Sequence, residues 1–248
     1  MILALFCLLF EYLFAWIFFE SGASVFLEKS LKFLPPVFTK LMGIQAGTAY
    51  FSSQMLAFGY EHPVVLISLS LLPISIPARY IAGEVEQRTF NLFLTRPVNR
   101  ISVPLTIFAF ILMAELIIVV FMFTGTFISY YLFDLNIERA GFLRATIAAY
   151  FFYVSMGSIA LLISVFQNER GKALARTIGL VVFFYFFDTI VRLSDYLAFL
   201  IPYSYFNLFK AGEVVVGKSS ALYSGLICVA ITIILVTLSC FRFNRRDV

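Results

Sequence analysis

The sequence predicts an all-α integral membrane protein with six transmembrane helices. Hydrophobic residues make up 62% of the 248 residues and charged residues only 13%, whereas an average soluble domain is about half apolar and about a quarter charged. So much apolar surface cannot be buried inside one soluble core. A lipid bilayer, crossed several times, is the solvent in which such a chain is stable.

The composition also excludes other classes of protein. Disordered chains are poor in aromatic residues, but this chain has 31 Phe and 13 Tyr. Its three cysteines, Cys7, Cys228 and Cys240, lie in apolar runs, which is typical of packing residues, and no metal-site spacing is visible. The net charge of +4 comes from scattered basic residues, so no nucleic-acid partner is expected.

Six apolar runs have the length of a membrane span, which is about 20 residues. They are residues 1–19, 64–82, 103–133, 145–166, 178–198 and 219–241. Backbone polar groups cannot stay without hydrogen bonds in lipid. Each run is therefore predicted to be a helix, and the helices to form a single membrane domain over residues 1–248. The first run contains Glu11 and no preceding basic residue, so we expect a retained helix rather than a signal peptide.

Basic residues in the short loops predict the orientation of the spans. The denser set lies at every second connection and at the C-terminus: Arg88, Arg96, Arg100, Arg170, Lys172, Arg176, Arg242, Arg245 and Arg246. Both termini are therefore predicted to be cytoplasmic. Residues 28–62 and 197–218 would then lie outside, where they are too apolar for solvated loops and are expected to form short interfacial or re-entrant helices.

The second cytoplasmic connection, residues 81–100, reads IAGEVEQRTFNLFLTRPVNR. Its pattern predicts a short amphipathic helix at the membrane surface. Glu84 and Arg88 are spaced i,i+4 for an ion pair on the polar stripe, and Pro97 ends the helix. The pattern alone favours an interfacial helix that merely anchors a loop.

This segment resembles the signature of type-2 ABC exporter permeases, the membrane subunits of ATP-driven efflux systems. In that family the second span ends in Gly-Glu-x-Glu, followed by a Thr, a Leu-rich turn and a Pro with an Arg three residues on. The matching residues are Gly83, Glu84, Glu86, Thr89, Leu92, Leu94, Pro97 and Arg100. The C-terminal FNRRDV, the FLPPVFTKLMG stretch and the six-helix layout also resemble the family, over nearly the whole chain.

The sequence departs from the family pattern at two places. The family usually has Gly before the Thr, where this chain has Arg88. The family also usually begins with a basic cytoplasmic helix, whereas the apolar run here starts at Met1. Part of the family's contact with an ATPase is therefore missing, or the true start lies upstream.

The resemblance implies a permease of the cell (inner, cytoplasmic) membrane that pairs with a second permease subunit, as a homodimer or heterodimer, and docks cytoplasmic ABC ATPase subunits. ATP and Mg²⁺ would bind to those ATPases, so this chain would hydrolyse nothing and hold no cofactor or metal. Segment 81–100 would be the coupling helix. Its coupling residues would be Gly83, Glu84, Glu86, Arg88, Thr89, Phe90, Phe93, Pro97 and Arg100.

A phosphate-loop pattern also occurs, since residues 212–219 read GEVVVGKS. In a genuine phosphate loop, backbone N–H groups cradle phosphates between a strand and a helix of a soluble domain. Here the pattern is predicted to lie outside, directly before the last span. It is therefore interpreted as a coincidental match.

Three ionisable residues inside the spans are candidates for a translocation path. Glu115, near the middle of the third span, would either line that path or a subunit seam, or hydrogen-bond to a neighbouring helix and fix its packing. Asp188 and Arg192 are spaced i,i+4, which favours a structural pair.

No catalytic set surrounds the single His62, so an enzyme is not expected. Two other functions stay open: a carrier or channel without an ATPase, and a membrane anchor or assembly factor. A carrier or channel would carry a polar stripe through several spans.

Overall fold

The computed structural model describes residues 1–20, 51–89, 99–135, 137–217 and 220–246. Every regular element in these residues is helical, and six helices among them are long and apolar enough to cross a membrane. The prediction of an all-α membrane protein with six spans is therefore confirmed. The direction in which each span crosses stays a prediction.

The helices are α1 (Ile2–Phe19), α2 (Phe51–Glu61), α3 (Pro63–Glu86), α4 (Ser102–Leu132), α5 (Arg139–Val165), α6 (Arg170–Leu193), α7 (Ala211–Val215) and α8 (Ser220–Asn244). All except α2 and α7 are candidate spans. The fourth and fifth spans begin earlier than predicted, at Arg139 and Arg170. The reason is that a helix readily begins with charged residues, which a search for apolar runs leaves out.

Helix α3 is irregular over its second half. Pro73 and Pro77 lie inside it, and residues Ala78–Gly83 form a π-helical segment before the last α-helical turn, Glu84–Glu86. Proline has no N–H to donate to the helical ladder, and π-helical turns are frequent at functional sites. The irregular turn leads directly into the acidic residues of the signature.

The two stretches predicted to lie outside contain short helices where they are described, and their position on the outer face stays a prediction. The second stretch holds two 3₁₀ helices, Asp195–Tyr203 and Tyr205–Leu208, followed by α7. In the first stretch, α2 is helical, whereas residues 28–50 lie outside the described residues. Tyr196 and Tyr203 are almost fully exposed, a position that suits tyrosine at a membrane–water interface.

The chain forms two compact units. Unit 1 comprises Met1–Ser68, Ile117–Tyr150 and Phe184–Gly225. Unit 2 comprises Leu69–Leu116, Phe151–Phe183 and Leu226–Val248. Each unit has its own buried interior.

Unit 1 is held together by close helix contacts and a buried hydroxyl cluster. The hydroxyl of Tyr60, on α2, lies 3.0 Å from the Thr126 hydroxyl and 3.3 Å from that of Thr146. Helices α1 and α4 touch backbone to backbone, since a Cβ at Gly125 would lie 2.4 Å from the Leu8 carbonyl oxygen. Such close approach at a small residue is typical of helix packing in membranes.

Unit 2 contains a buried apolar cluster. This cluster consists of Ile81, Ile107, Leu161, Val165, Val236, Cys240 and Phe243. All three cysteines of the chain are buried and none forms a disulfide, which agrees with their interpretation as packing residues. Large apolar side chains on the outside of the spans, such as Phe110, are exposed, and lipid is their natural surrounding.

Candidate functional site

The signature segment begins as the end of α3 and then turns. The helix ends at Glu86, and residues 87–89 form a turn. Arg88 has φ +56°, in the left-handed region that disfavours bulky side chains. The expected single helix over the segment is therefore interrupted at Arg88. Residues 90–98, with the candidate coupling residues Phe90, Phe93 and Pro97, lie outside the described residues.

Glu84 and Thr89 close this turn. The Thr89 N–H donates to the Glu84 carbonyl over 3.2 Å, and the Thr89 hydroxyl donates both to that carbonyl over 3.1 Å and to the Glu84 carboxylate. The Glu84 carboxylate is thus engaged by Thr89 rather than by Arg88, whose side chain is exposed. The expected ion pair fails because the left-handed turn takes Arg88 off the helical stripe.

Glu86 connects this segment to the start of α6. Its carboxylate accepts a hydrogen bond of 2.8 Å from the backbone N–H of Arg170, the first residue of α6. The first N–H groups of a helix have no partner within the helix, and a negative charge there is favourable. Gly83 lies beside the same residue, because a Cβ at Gly83 would be 3.7 Å from the Arg170 Cβ.

Arg100 ends the signature and contacts the C-terminal tail. Its guanidinium donates to the Arg246 carbonyl over 2.8 Å. The Arg246 guanidinium in turn donates to the carbonyls of Val165 and Gln167, over 2.8 and 2.7 Å, and to the Asn168 side chain over 2.5 Å. Arg246 is only 6% exposed. The signature and the tail therefore meet at the C-terminal end of α5.

The tip of the turn is the accessible part of the site. Glu86, Gln87 and Arg88 are exposed, whereas Gly83 is buried and Glu84 and Thr89 are partly buried. The signature residues thus divide into two groups. Glu84, Glu86 and Thr89 shape and anchor the turn, and Gln87 and Arg88 present a surface.

Glu115 lies on α4 within unit 2 and is completely buried. Neither of its carboxylate oxygens has a hydrogen-bond partner among the residues that the structure describes. The packing hydrogen bond that was one of its two expected roles is therefore not seen there. Glu11 on α1, which interrupts the first apolar run, is buried in the same way.

Asp188 and Arg192 form the predicted pair. Arg192 donates from Nε and Nη2 to the two Asp188 oxygens over 2.6 and 2.8 Å. The Ser204 hydroxyl also donates to Asp188 over 2.5 Å, and Arg192 donates to the Asn207 side chain over 3.3 Å. Because partners within unit 1 satisfy both charges, the pair anchors the 3₁₀ helices, which favours its structural interpretation.

The phosphate-loop pattern lacks the required local structure where it is described. Its first glycine, Gly212, lies in the short helix α7, and the Gly212 N–H donates to the Glu61 carboxylate over 3.3 Å. An N–H that a phosphate would use is thus taken by a carboxylate. Lys218 and Ser219 lie outside the described residues.

The sequence analysis assigned no role to Glu61 and used Arg246 only as one of the basic residues that predict the orientation. Burial raises the pKa of Glu61 to about 7, against the opposing effect of the Gly212 and Ala211 N–H groups and of Lys210 and Arg192. No local sequence pattern indicates a role for Glu61, because the backbone N–H that it accepts belongs to Gly212, far along the chain. For Arg246 a signal existed, namely the basic tail.

Comparison with known proteins places this geometry in context. A family model described as "ABC-2 family transporter protein" matches residues 2–248. A search of curated proteins found no match. Among the described residues, no group of three or more His, Cys, Asp and Glu side chains could hold a metal ion.

Proposed function

The chain belongs to the ABC-2 family of transporter proteins, and from this premise we propose that it is the permease subunit of an ATP-driven exporter. It is a multi-pass membrane protein and a permease of an ABC transporter. The export direction, location in the cell membrane, docking to a separate cytoplasmic ABC ATPase and pairing with a second permease subunit are the further content of the proposal.

The signature turn is the observation that carries the proposal. Two acidic residues build it: Glu84 closes the turn through Thr89, and Glu86 fixes its base to α6. The turn exposes Gln87 and Arg88 on the side that the basic-residue distribution predicts to be cytoplasmic. The exposed residues of the turn can contact a partner domain. The hydrogen bonds of Glu84 and Glu86 would then transmit a movement of that domain to the spans.

The partner would supply the chemistry. ATP and Mg²⁺ would bind to the ATPase, and this chain would hold neither and catalyse nothing. Its own task would be to open and close a path between the spans of two permease subunits. Glu115 is the proposed polar group of that path or of the seam between subunits, since its buried carboxylate lacks a hydrogen-bond partner within the described chain.

The Thr89 hydroxyl offers a test of this coupling role. Thr89→Val keeps the shape of the side chain but removes the hydroxyl that donates a hydrogen bond to the Glu84 carboxylate. A lost hydrogen bond to a charged group costs about 1.5–3 kcal/mol. We therefore expect ATP hydrolysis by the copurified ATPase, measured per complex in lipid nanodiscs, to fall about tenfold or more.

Thr89→Ser is the matched control, because it retains the hydroxyl, and it should hydrolyse ATP close to the wild-type rate. Membrane insertion should be normal in both variants. Equal hydrolysis by the Val and Ser variants would contradict the coupling role of the turn. Purification of the wild-type chain without any ABC ATPase would contradict the proposed function as a whole.

A carrier without an ATPase is the second candidate function. The buried carboxyls Glu11 and Glu115, which have no hydrogen-bond partner among the described residues, favour it, because ionisable groups inside spans serve proton-linked carriers. This candidate predicts that transport in sealed vesicles follows an imposed pH gradient and is unchanged when ATP is omitted. The permease proposal predicts the reverse dependence.

A further inference from the structure

We propose that the C-terminal tail is a working part of the coupling device, and that Arg246 is the positioning residue that links the signature segment to the loop after α5. This inference rests on the proposed function. It adds a tail residue to a coupling site that the resemblance placed entirely in segment 81–100.

The signature segment is fastened to one short region at both of its ends. Near its start, the Glu86 carboxylate accepts the Arg170 N–H over 2.8 Å. At its end, Arg100 holds the Arg246 carbonyl, and Arg246 holds the Asn168 side chain over 2.5 Å. The two contacts thus reach residues 168 and 170, which lie two positions apart at the start of α6.

Arg246 is suited to this position because three acceptors converge on its guanidinium. Two of them are the carbonyls of Val165 and Gln167, and Val165 is the last residue of α5. The last carbonyls of a helix lack partners within the helix, and a cation there is favourable. The planar guanidinium has five donors in fixed directions, whereas a lysine has one compact charge.

Burial makes this connection stiff. Arg246 is only 6% exposed, so its hydrogen bonds are shielded from water, and breaking them would leave desolvated carbonyls without partners. The tail follows α8 directly, since α8 ends at Asn244. A displacement of the turn would therefore reach α3 directly and the start of α6 through Glu86. Arg246 would pass a movement of the loop before α6 on to α8.

Arg245 provides a matched control one residue away. It carries the same charge in the same tail, but it is exposed, and its guanidinium lies 4.0 Å from the centre of the Phe241 ring. Removing it changes the tail charge by the same amount and leaves the Arg246 hydrogen bonds intact. Any effect that depends on charge alone should be equal for Arg245→Ala and Arg246→Ala.

The experiment follows movement at two positions in the complex of the full chain with its ATPase. A fluorescent label is attached to a cysteine at exposed Gln87, on the turn, or at exposed Tyr223, near the start of α8. The native cysteines are buried, so labelling is selective. The response of each label to ATP and Mg²⁺ is recorded in lipid nanodiscs for the wild type, Arg245→Ala, Arg246→Ala and Arg246→Lys.

The wild type and Arg245→Ala should respond at both labels. In Arg246→Ala, the label at Gln87 should still respond to ATP and Mg²⁺. The response of the label at Tyr223 should be about tenfold smaller than in the wild type, as expected for the loss of several shielded hydrogen bonds. Arg246→Lys should resemble the Ala variant. Arg100→Ala is a milder second variant, because it keeps the hydrogen bonds of the Arg246 guanidinium. Its response at the Tyr223 label should fall less than that of Arg246→Ala.

Other outcomes overturn the inference in distinguishable ways. Undiminished responses at Tyr223 in Arg246→Ala would show that the tail does not transmit the movement, while the proposed function would stand. A lower yield of complex with wild-type responses at both labels would assign Arg246 a purely structural role. No response at either label in the wild type would reject the proposed function and this inference together.

Discussion

The contact between α1 and α4 predicts that a single added methyl group lowers the free energy of unfolding. A Cβ at Gly125 would lie 2.4 Å from the Leu8 carbonyl oxygen and 3.1 Å from the Leu8 Cα. Ordinary non-bonded contacts are about 3.5 Å or longer, so Gly125→Ala must push the two backbones about 1 Å apart. The opposing atoms are backbone, which cannot rotate away as the end of a side chain could.

The magnitude follows from two opposing effects. Overpacking an interior typically costs about 1–3 kcal/mol, whereas replacing Gly by Ala inside a helix gains about 0.5–1 kcal/mol. We expect a net loss of about 1–2 kcal/mol in the free energy of unfolding. For a chain of this size, such a loss lowers Tm by about 2–8 °C.

The assay is thermal unfolding in lipid nanodiscs, followed by intrinsic fluorescence. Gly225→Ala is the matched control, because Gly225 lies in α8 and a Cβ there would have no neighbour within 4 Å. That variant gains the helix propensity of Ala without overpacking, so its Tm should be unchanged or higher. An equal rise in Tm for both variants would refute the backbone contact between α1 and α4.

The remaining predictions concern the turn, one titrating carboxyl and the phosphate-loop pattern. Arg88→Gly should raise stability by up to about 1 kcal/mol, since a left-handed conformation costs a bulky residue about 1–2 kcal/mol; a lower Tm would contradict this. The raised pKa of Glu61, about 7, gives a stability contribution that is fully present below about pH 4.5 and is lost as the pH rises through about 7. Tm should therefore fall over this range in the wild type and less so in Glu61→Gln, and parallel profiles would contradict it. Lys218→Ala should retain activity, and the chain alone should bind no nucleotide in calorimetry; micromolar ATP affinity that disappears in this variant would overturn the predicted topology.

Sequence reasoning succeeded where one physical constraint dominates. In lipid every long apolar run must be a helix, so the number of spans followed from composition and spacing. The Asp188–Arg192 pair was also predictable, because i,i+4 neighbours on a helix lie side by side. Both predictions depend only on distances along the chain.

The site was less predictable because its contacts join distant parts of the sequence. Glu86 contacts Arg170, and Arg100 contacts Arg246. No pattern along the sequence indicates which residue Glu86 or Arg100 contacts. The left-handed backbone at Arg88 was hidden for another reason. Arginine is a good helix former, so its identity favoured a continuing helix, and only the family's usual Gly at that place hinted at a turn.

Photo-crosslinking is the most direct test of the proposed contact between the signature turn and an ABC ATPase. A photoreactive residue replaces exposed Gln87, with the 94% exposed Tyr196 as the control on the predicted outer face. After illumination of intact cells, crosslinked proteins are identified by mass spectrometry. We expect an ABC ATPase attached at residue 87 and none at residue 196. An ATPase attached at 196 instead, or only lipid and unrelated proteins at 87, would contradict it.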